Sequence, residues 1–239
     1  MKNFLVFLLL AIWFSVVNAQ EKELEITALS KNVYQFTSYL YVEPWGMVGG
    51  NGLIVVDGQQ AHIIDTPWTI NDTKQLLQWL ESKELTLKSA IISHSHDDAS
   101  AGVSLLNDLN IATYATALTN KLLEAKSNAQ TTQFIKANPY TVLPNSIEVF
   151  YPGAGHSDDN IVVWLPKERI LFGGCFIKSL KSKTLGNTAD ATIKQWPYSI
   201  EKLIKKYPDI NVVVPGHGKA GDISLLKHTA ALALNYNHH

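Results

Sequence analysis

The strand core Ala90-Ile91-Ile92 runs without a turn into His94-Ser95-His96-Asp97-Asp98, and few architectures accommodate that junction. A short apolar run of this kind reads as a strand buried on both faces, so it needs cover above and below. Two imidazoles and two carboxylates at its end need solvent, hydrogen-bond partners or a metal ion instead. The junction therefore belongs at the rim of a layered core, on a loop that packed strands and helices hold in place. His94 and His96, two apart in extended backbone, project from one side toward one point.

The flanking sequence predicts such a core. Residues 33–42 are rich in aromatic and β-branched side chains and read as a strand, and residues 52–56 and 61–65 flank the turn Asp57-Gly58-Gln59-Gln60 as a hairpin. Leu76, Leu77, Trp79 and Leu80 have helical spacing, with Asn71 or Asp72 placed to cap the start. After the histidine run come a helix over 99–107, a short strand over 112–115 and a helix from Leu118. The second half echoes the first, with strands over 147–151, 161–165, 170–173 and 211–214 and helices over 192–206 and 222–234. Two sheet-plus-helix halves placed face to face give an α/β fold of four layers, an αββα sandwich, with a metal site at the shared edge of the sheets.

Each further candidate ligand is expected just past a strand of the second half: His156 after the first, Cys175 after the third and His217 after the fourth, through Pro215-Gly216. His94, His96 and His156 make a three-imidazole set suited to Zn²⁺ with a fourth position left for water; Asp98, Cys175 and His217 make a second set. Cys175 is the only cysteine of the chain. A thiol without a partner in an oxidising compartment is explained by coordination as thiolate. Its flanks Leu171, Phe172, Phe176 and Ile177 suit a buried structural cysteine equally well. His62 and His228 read as satisfied or exposed histidines, and with the terminal His238-His239 pair they are placed outside the site.

Residues 1–19 combine one lysine, an apolar stretch from Phe4 to Val17 and the small-residue exit Val17-Asn18-Ala19, which reads as a secretory signal peptide cleaved after Ala19. Residues 20–239 then form the mature domain, expected in the periplasm without stable membrane association. The leader holds one of the twenty basic residues and none of the twenty-one acidic ones, so the mature chain is close to neutral and nucleic acid is excluded as a partner.

Several segments resemble the metallo-β-lactamase superfamily, and within it the class B zinc β-lactamases of subclass 1, the imipenemase type above all. They are Ile64-Asp65-Thr66-Pro67, the run from His94 to Asp98, Val149-Phe150-Tyr151-Pro152-Gly153 ahead of His156, the stretch from Leu171 to Lys178, Leu185-Gly186-Asn187 and Pro215-Gly216-His217. Ala99 stands where many relatives of the thioester-hydrolase type carry a further histidine, and Cys175 stands where subclass 1 carries its thiolate. Ser95 and Ala101 depart from the commonest pattern, where an aromatic residue and a glycine are usual; neither removes a ligand.

The resemblance implies a monomeric β-lactamase with two Zn²⁺ ions, opening the ring of penicillins, cephalosporins and carbapenems with a zinc-bound hydroxide. It implies Asp98 as orienter of the nucleophile, Asn187 as donor to the tetrahedral oxygen and Lys178 as partner of the substrate carboxylate. It further implies Trp45, in the loop over 43–50, as part of a lid, and Asp65 as a hydrogen-bonding support of the zinc loop. Three rivals remain: a glyoxalase-like thioester hydrolase, a non-enzymatic zinc-binding protein, and a serine β-lactamase suggested by the S-x-x-K matches at Ser199 and Ser224. The last lacks S-D-N and K-T-G.

Overall fold

The computed structural model describes residues 22–236, so the predicted leader and the His238-His239 pair lie outside the described residues. A seven-stranded sheet holds β1 (Glu25–Ala28), β2 (Val33–Val42), β3 (Gly46–Asp57), β4 (Gln60–Ile64), β5 (Thr86–Ile91), β6 (Ala112–Thr116) and β7 (Gln133–Ile135) in sequence order. Strands β1 to β4 form an antiparallel meander, and β5 to β7 add to it in parallel. The parallel steps need crossovers, and α1 (Ile70–Ser82), α2 (Asp97–Ser100), α3 (Val103–Asp108) and α4 (Ala117–Ala125) provide them.

A five-stranded sheet holds β8 (Tyr140–Leu143), β9 (Ile147–Phe150), β10 (Val162–Leu165), β11 (Ile170–Lys178) and β12 (Val212–His217), ordered β12-β11-β10-β9-β8. The helices α5 (Trp196–Lys206) and α6 (Ser224–Asn235) belong to this half.

Strand periodicity assigns the layers. On β3, Leu53 and Val55 join Val163, Phe172 and Val214 of the other sheet in the central core, while Ile54 between them joins Leu76, Leu80, Val103 and Leu106 under the helices. On β10, Val163 faces the central core and Val162 faces outward with Trp196, Ile200, Leu203 and Leu226. The αββα sandwich is thus present with three apolar layers between its elements. Trp196 is fully buried and donates its indole N–H to the Phe176 carbonyl at 2.9 Å, so its single polar atom is satisfied.

Several local expectations shift. The cap of α1 is Thr69, whose hydroxyl accepts from the Asp72 N–H at 3.0 Å; Asp72 instead sits in the first turn and accepts from the Ser38 hydroxyl. The single helix expected over 99–107 is two short ones. At the break the Gly102 N–H bonds to the Thr66 hydroxyl at 2.9 Å, and a side chain at 102 would strike Thr73 Oγ1 at 2.6 Å. Strand β3 begins at Gly46, paired with Val42, so most of the expected 43–50 loop is hairpin ladder with a short tip over 43–45. Helix α5 begins at Trp196, with Pro197 in its first turn, and not at Thr192. Strand β11 continues to Lys178, which places Cys175 inside a strand and not beyond it.

Candidate metal centre

The six candidate ligands arrive at one edge of the two sheets from both halves of the chain. His94 and His96 follow β5, and Asp98 lies in the first turn of α2. His156 sits on the loop between β9 and β10, Cys175 on β11 and His217 at the end of β12. Strand β11 breaks register against β12 on either side of Gly174, whose φ of 53° favours glycine. That irregularity accompanies the turn of Cys175 toward the edge. Gly216 leaves room for it: a Cβ there would lie 2.6 Å from the Cys175 sulfur.

Within the second set, Cys175 Sγ lies 2.9 Å from Asp98 Oδ2 and 3.2 Å from His217 Nε2, and the carboxylate and imidazole are 3.1 Å apart. In the first set, His96 Nδ1 and His156 Nε2 are 3.1 Å apart, and the three rings stand edge to face with centroid separations of 4.7, 5.1 and 5.0 Å. His94 Nε2, 3.6 Å from Asp98 Oδ1, joins the two sets. Tetrahedral Zn²⁺ with bonds of about 2.0–2.3 Å spaces its ligand atoms about 3.3–3.7 Å apart, close to these separations.

The hydrogen bonds around the rings expose the nitrogens that face inward. Ser93 donates its hydroxyl to Asp65 at 2.7 Å, so toward His94 Nδ1, 3.0 Å away, its oxygen accepts. His94 Nε2 is then a bare lone pair, buried and without a protein partner. His217 donates from Nδ1 to the Gly49 carbonyl at 2.9 Å, and His96 turns Nε2 to Asp190 at 2.8 Å, leaving Nε2 and Nδ1 respectively for the interior. The inward nitrogens of His94, His96 and His217 are thus lone pairs, and a cluster of lone pairs converging on one region fits a bound cation.

Electrostatics agree. Burial lowers the His94 pKa to about 4 and, aided by the Lys178 ammonium, holds that of His156 well below the usual imidazole range, so both are neutral at pH 7 as ligands must be. Burial opposes ionisation of Asp98, yet positive charge beside its oxygens, whether protons on the His217 and His94 rings or a cation in their place, holds its carboxyl well below the ordinary range. Burial and the Asp98 charge push the Cys175 thiol well up. A carboxylate crowding a thiol favours the thiolate only when a positive ion sits between them.

Other expected residues fall into two groups. Lys178, Asn187 and Trp45 all line the cavity of about 670 Å³ that opens over the centre, together with Trp68, His96 and His217. Lys178 is 8 % exposed, a buried ammonium and not a solvated loop lysine, and burial lowers its pKa. The Asn187 Oδ1 accepts from the Ala189 N–H at 3.0 Å, which turns its acceptor into its own loop. Asp65 is 3 % exposed and receives both the N–H and the hydroxyl of Ser93, at 2.6 and 2.7 Å; burial raises its pKa against those two bonds. His62 pairs with Ser89 and His228 with the Ser182 carbonyl, both away from the centre. Ser199 is fully buried and donates to the Ala154 carbonyl, so it is no nucleophile.

Sequence reasoning missed Asp190, which orients His96 from a stretch without periodicity. It also missed Asn51, a buried amide on β3 that donates to the carbonyls of Pro215 and Gly218 and so clamps the His217 loop.

No family model matches the chain. It is 43 % identical over 212 residues to a metallo-β-lactamase type 2 of Pseudomonas aeruginosa, spanning 89 % of this chain and 85 % of that one. The chain belongs to the metallo-β-lactamase family. The solved structure of VMB-1 shares 58 % sequence identity with this family member, with a TM-score of 0.89 over 90 % of this chain and 99 % of that one. The metallo-β-lactamase FIM-1 from Pseudomonas aeruginosa, solved in a mono-zinc form, shares 32 % identity with a TM-score of 0.86, over 90 % of this chain and 97 % of that one. The subclass 1 resemblance holds along most of the chain.

Proposed function

We propose that the chain is a periplasmic, monomeric β-lactamase that holds two zinc ions and opens the lactam ring of penicillins, cephalosporins and carbapenems. The carrying observation is the pair of three-ligand sets, with separations of 2.9–3.2 Å inside the second, beneath a cavity that also holds Lys178. His94, His96 and His156 would hold one ion and Asp98, Cys175 and His217 the other. When bound, zinc would supply a water acidified to a pKa of about 7 and a Lewis acid for the lactam carbonyl and the departing nitrogen.

The side chains of this chain do the rest. Lys178, already desolvated, meets the substrate carboxylate and fixes the ring over the centre. Asn187, its oxygen engaged with Ala189, keeps its N–H₂ to donate to the carbonyl oxygen as negative charge gathers there. Asp98 orients the attacking water, and Trp45, exposed at the hairpin tip, covers an apolar substituent. Asp190, Ser93 and Gly49 hold three of the imidazoles in the tautomers described above.

The thioester-hydrolase reading is disfavoured by Ala99, which is buried in the core and offers no ligand. Simple zinc storage leaves Lys178 and the open cavity without a role. The test is carbapenem hydrolysis before chelation, after it, and after zinc is restored. Loss followed by recovery is expected; turnover that survives chelation, or stoichiometric zinc without turnover, overturns the proposal.

A further inference from the structure

Among the apolar side chains that line the main cavity, Val42, Trp45 and Val48 come from the β2–β3 hairpin, and Trp68 comes from the loop between β4 and α1. Trp45 is exposed at the hairpin tip; Trp68 is half-buried. The Trp68 ring lies over Gly50, where a Cβ would stand 3.2 Å from its Cε3 and 3.8 Å from the Asp98 Cβ. Its centroid is 5.7 Å from that of the His217 ring, at an angle of 41°. Trp68 is thus a wall of the cavity set against two of the second group of ligands, and the mechanism leaves it without a role.

Its seat is made by two buried polar residues. Pro67 has no N–H to offer, and the Trp68 N–H donates to Ser38 Oγ at 3.0 Å. Ser38, on β2, is fully buried, and its single hydroxyl proton goes to Asp72 Oδ2. A free hydroxyl rotates; once a carboxylate holds its proton, its lone pairs are left for the Trp68 N–H. Asp72 is 6 % exposed in the first turn of α1, where Thr69 already serves as the cap. A carboxylate sunk that far without a capping role is costly, and orienting Ser38 gives it one.

We propose that Asp72 and Ser38 are positioning residues: acting through the Trp68 backbone, they fix the indole as the wall on which the apolar acyl group of a β-lactam packs. This rests on the β-lactam reading and adds to it the side chain that recognises the acyl group and the pair that holds it in place. Trp45 reaches that group from an exposed tip, whereas Trp68 meets it from a seated loop.

Two substrates with one nucleus test the proposal: benzylpenicillin, which carries a phenylacetyl group, and 6-aminopenicillanic acid, which carries none. In Ser38→Ala and in Asp72→Ala the KM for benzylpenicillin rises about tenfold with kcat little changed, while that for the bare nucleus stays within about twofold. Asp72→Asn keeps an acceptor for the Ser38 hydroxyl and behaves as the unaltered protein. Trp68→Ala raises the same KM, and adding Asp72→Ala to it raises it no further. Apart from turnover, the ¹⁹F line of 5-fluorotryptophan-labelled protein that Trp68→Phe removes shifts in Asp72→Ala and not in Asp72→Asn, with zinc or without it. Should Ser38→Ala, at a fully buried site, not fold, the two Asp72 variants carry every comparison. An equal rise for both substrates, a further rise on the Trp68→Ala background or an unmoved ¹⁹F line overturns this proposal and leaves the β-lactam reading standing; a zinc-loaded protein that turns over neither substrate overturns both.

Discussion

Gly216→Ala is the smallest change that reaches the thiol. A methyl at 216 would lie 2.5 Å from the Cys175 nitrogen, 2.6 Å from its sulfur and 2.7 Å from the Gly174 carbonyl carbon. Two of those three atoms are backbone, so no side-chain rotation relieves the clash. Ordinary carbon contacts begin near 3.4 Å, which leaves the sulfur about 0.8 Å to travel. Overpacking of this kind costs about 1–3 kcal/mol, equivalent to a drop in Tm of roughly 2–10 °C for a chain of this size. A displacement approaching 1 Å at a working site costs about a hundredfold in rate. The affinity of the Asp98, Cys175 and His217 set for metal should fall about 10–100-fold, while the three-histidine set keeps its own. Cobalt titration separates the two, because only the thiolate gives a sulfur-to-metal charge-transfer band. A Gly216→Ala protein that binds two cobalt ions with a full-strength band and unchanged affinities would refute the argument that close approach at Gly216 sets the thiol.

Asp65→Asn leaves one acceptor for two Ser93 donors, so stability drops by about 1–3 kcal/mol and metal affinity at the histidine set drops about tenfold, read by urea melts and competitive chelation. Lys178→Ala raises KM for carboxylate-bearing β-lactams about 10–100-fold with a smaller change in kcat, and Lys178→Arg recovers part of it; steady-state kinetics give the split. In the metal-free protein, the lowered pKa of His94 means that the unfolded chain binds more protons than the folded one between about pH 4 and 6.5. Stability therefore falls with acidification across that window, by roughly 3 kcal/mol from His94 alone, with His156 acting in the same direction. Denaturation midpoints that stay level from pH 7 to pH 4.5 would contradict this.

Layer order and ligand identity were legible because both rest on short-range pattern. Continuous apolar runs in β3 and β10, Leu53 to Val56 and Val162 to Leu165, mark strands covered on both faces, and His94, His96 and Asp98 announce themselves by spacing. What escaped depends on contacts distant in sequence. Asp190 is 94 residues from His96, and nothing in Thr188-Ala189-Asp190-Ala191 signals that partner. Asn51 is 164 residues from Pro215, in a Gly-rich strand that reads as flexible loop until its pairing with β2 is seen. The break at Gly102 arises from Thr66 and Thr73, which no helical pattern contains. Cys175 was legible as a ligand beside the histidine segments and Asp98 although its flanks suit a structural cysteine; it is as buried as they suggest, with its sulfur 2.9 Å from Asp98 and 3.2 Å from His217.

Neither candidate ion has a home within a single half of the polypeptide. His94 and His96 come from the first half and need His156 from the second; Cys175 and His217 come from the second and need Asp98 from the first. Each cation is in effect a rivet through both sheets, and its grip lasts only while they stay docked. Zinc starvation in the cell would then do more than silence an enzyme: it would unfasten the sandwich along its working edge and expose that seam to proteases.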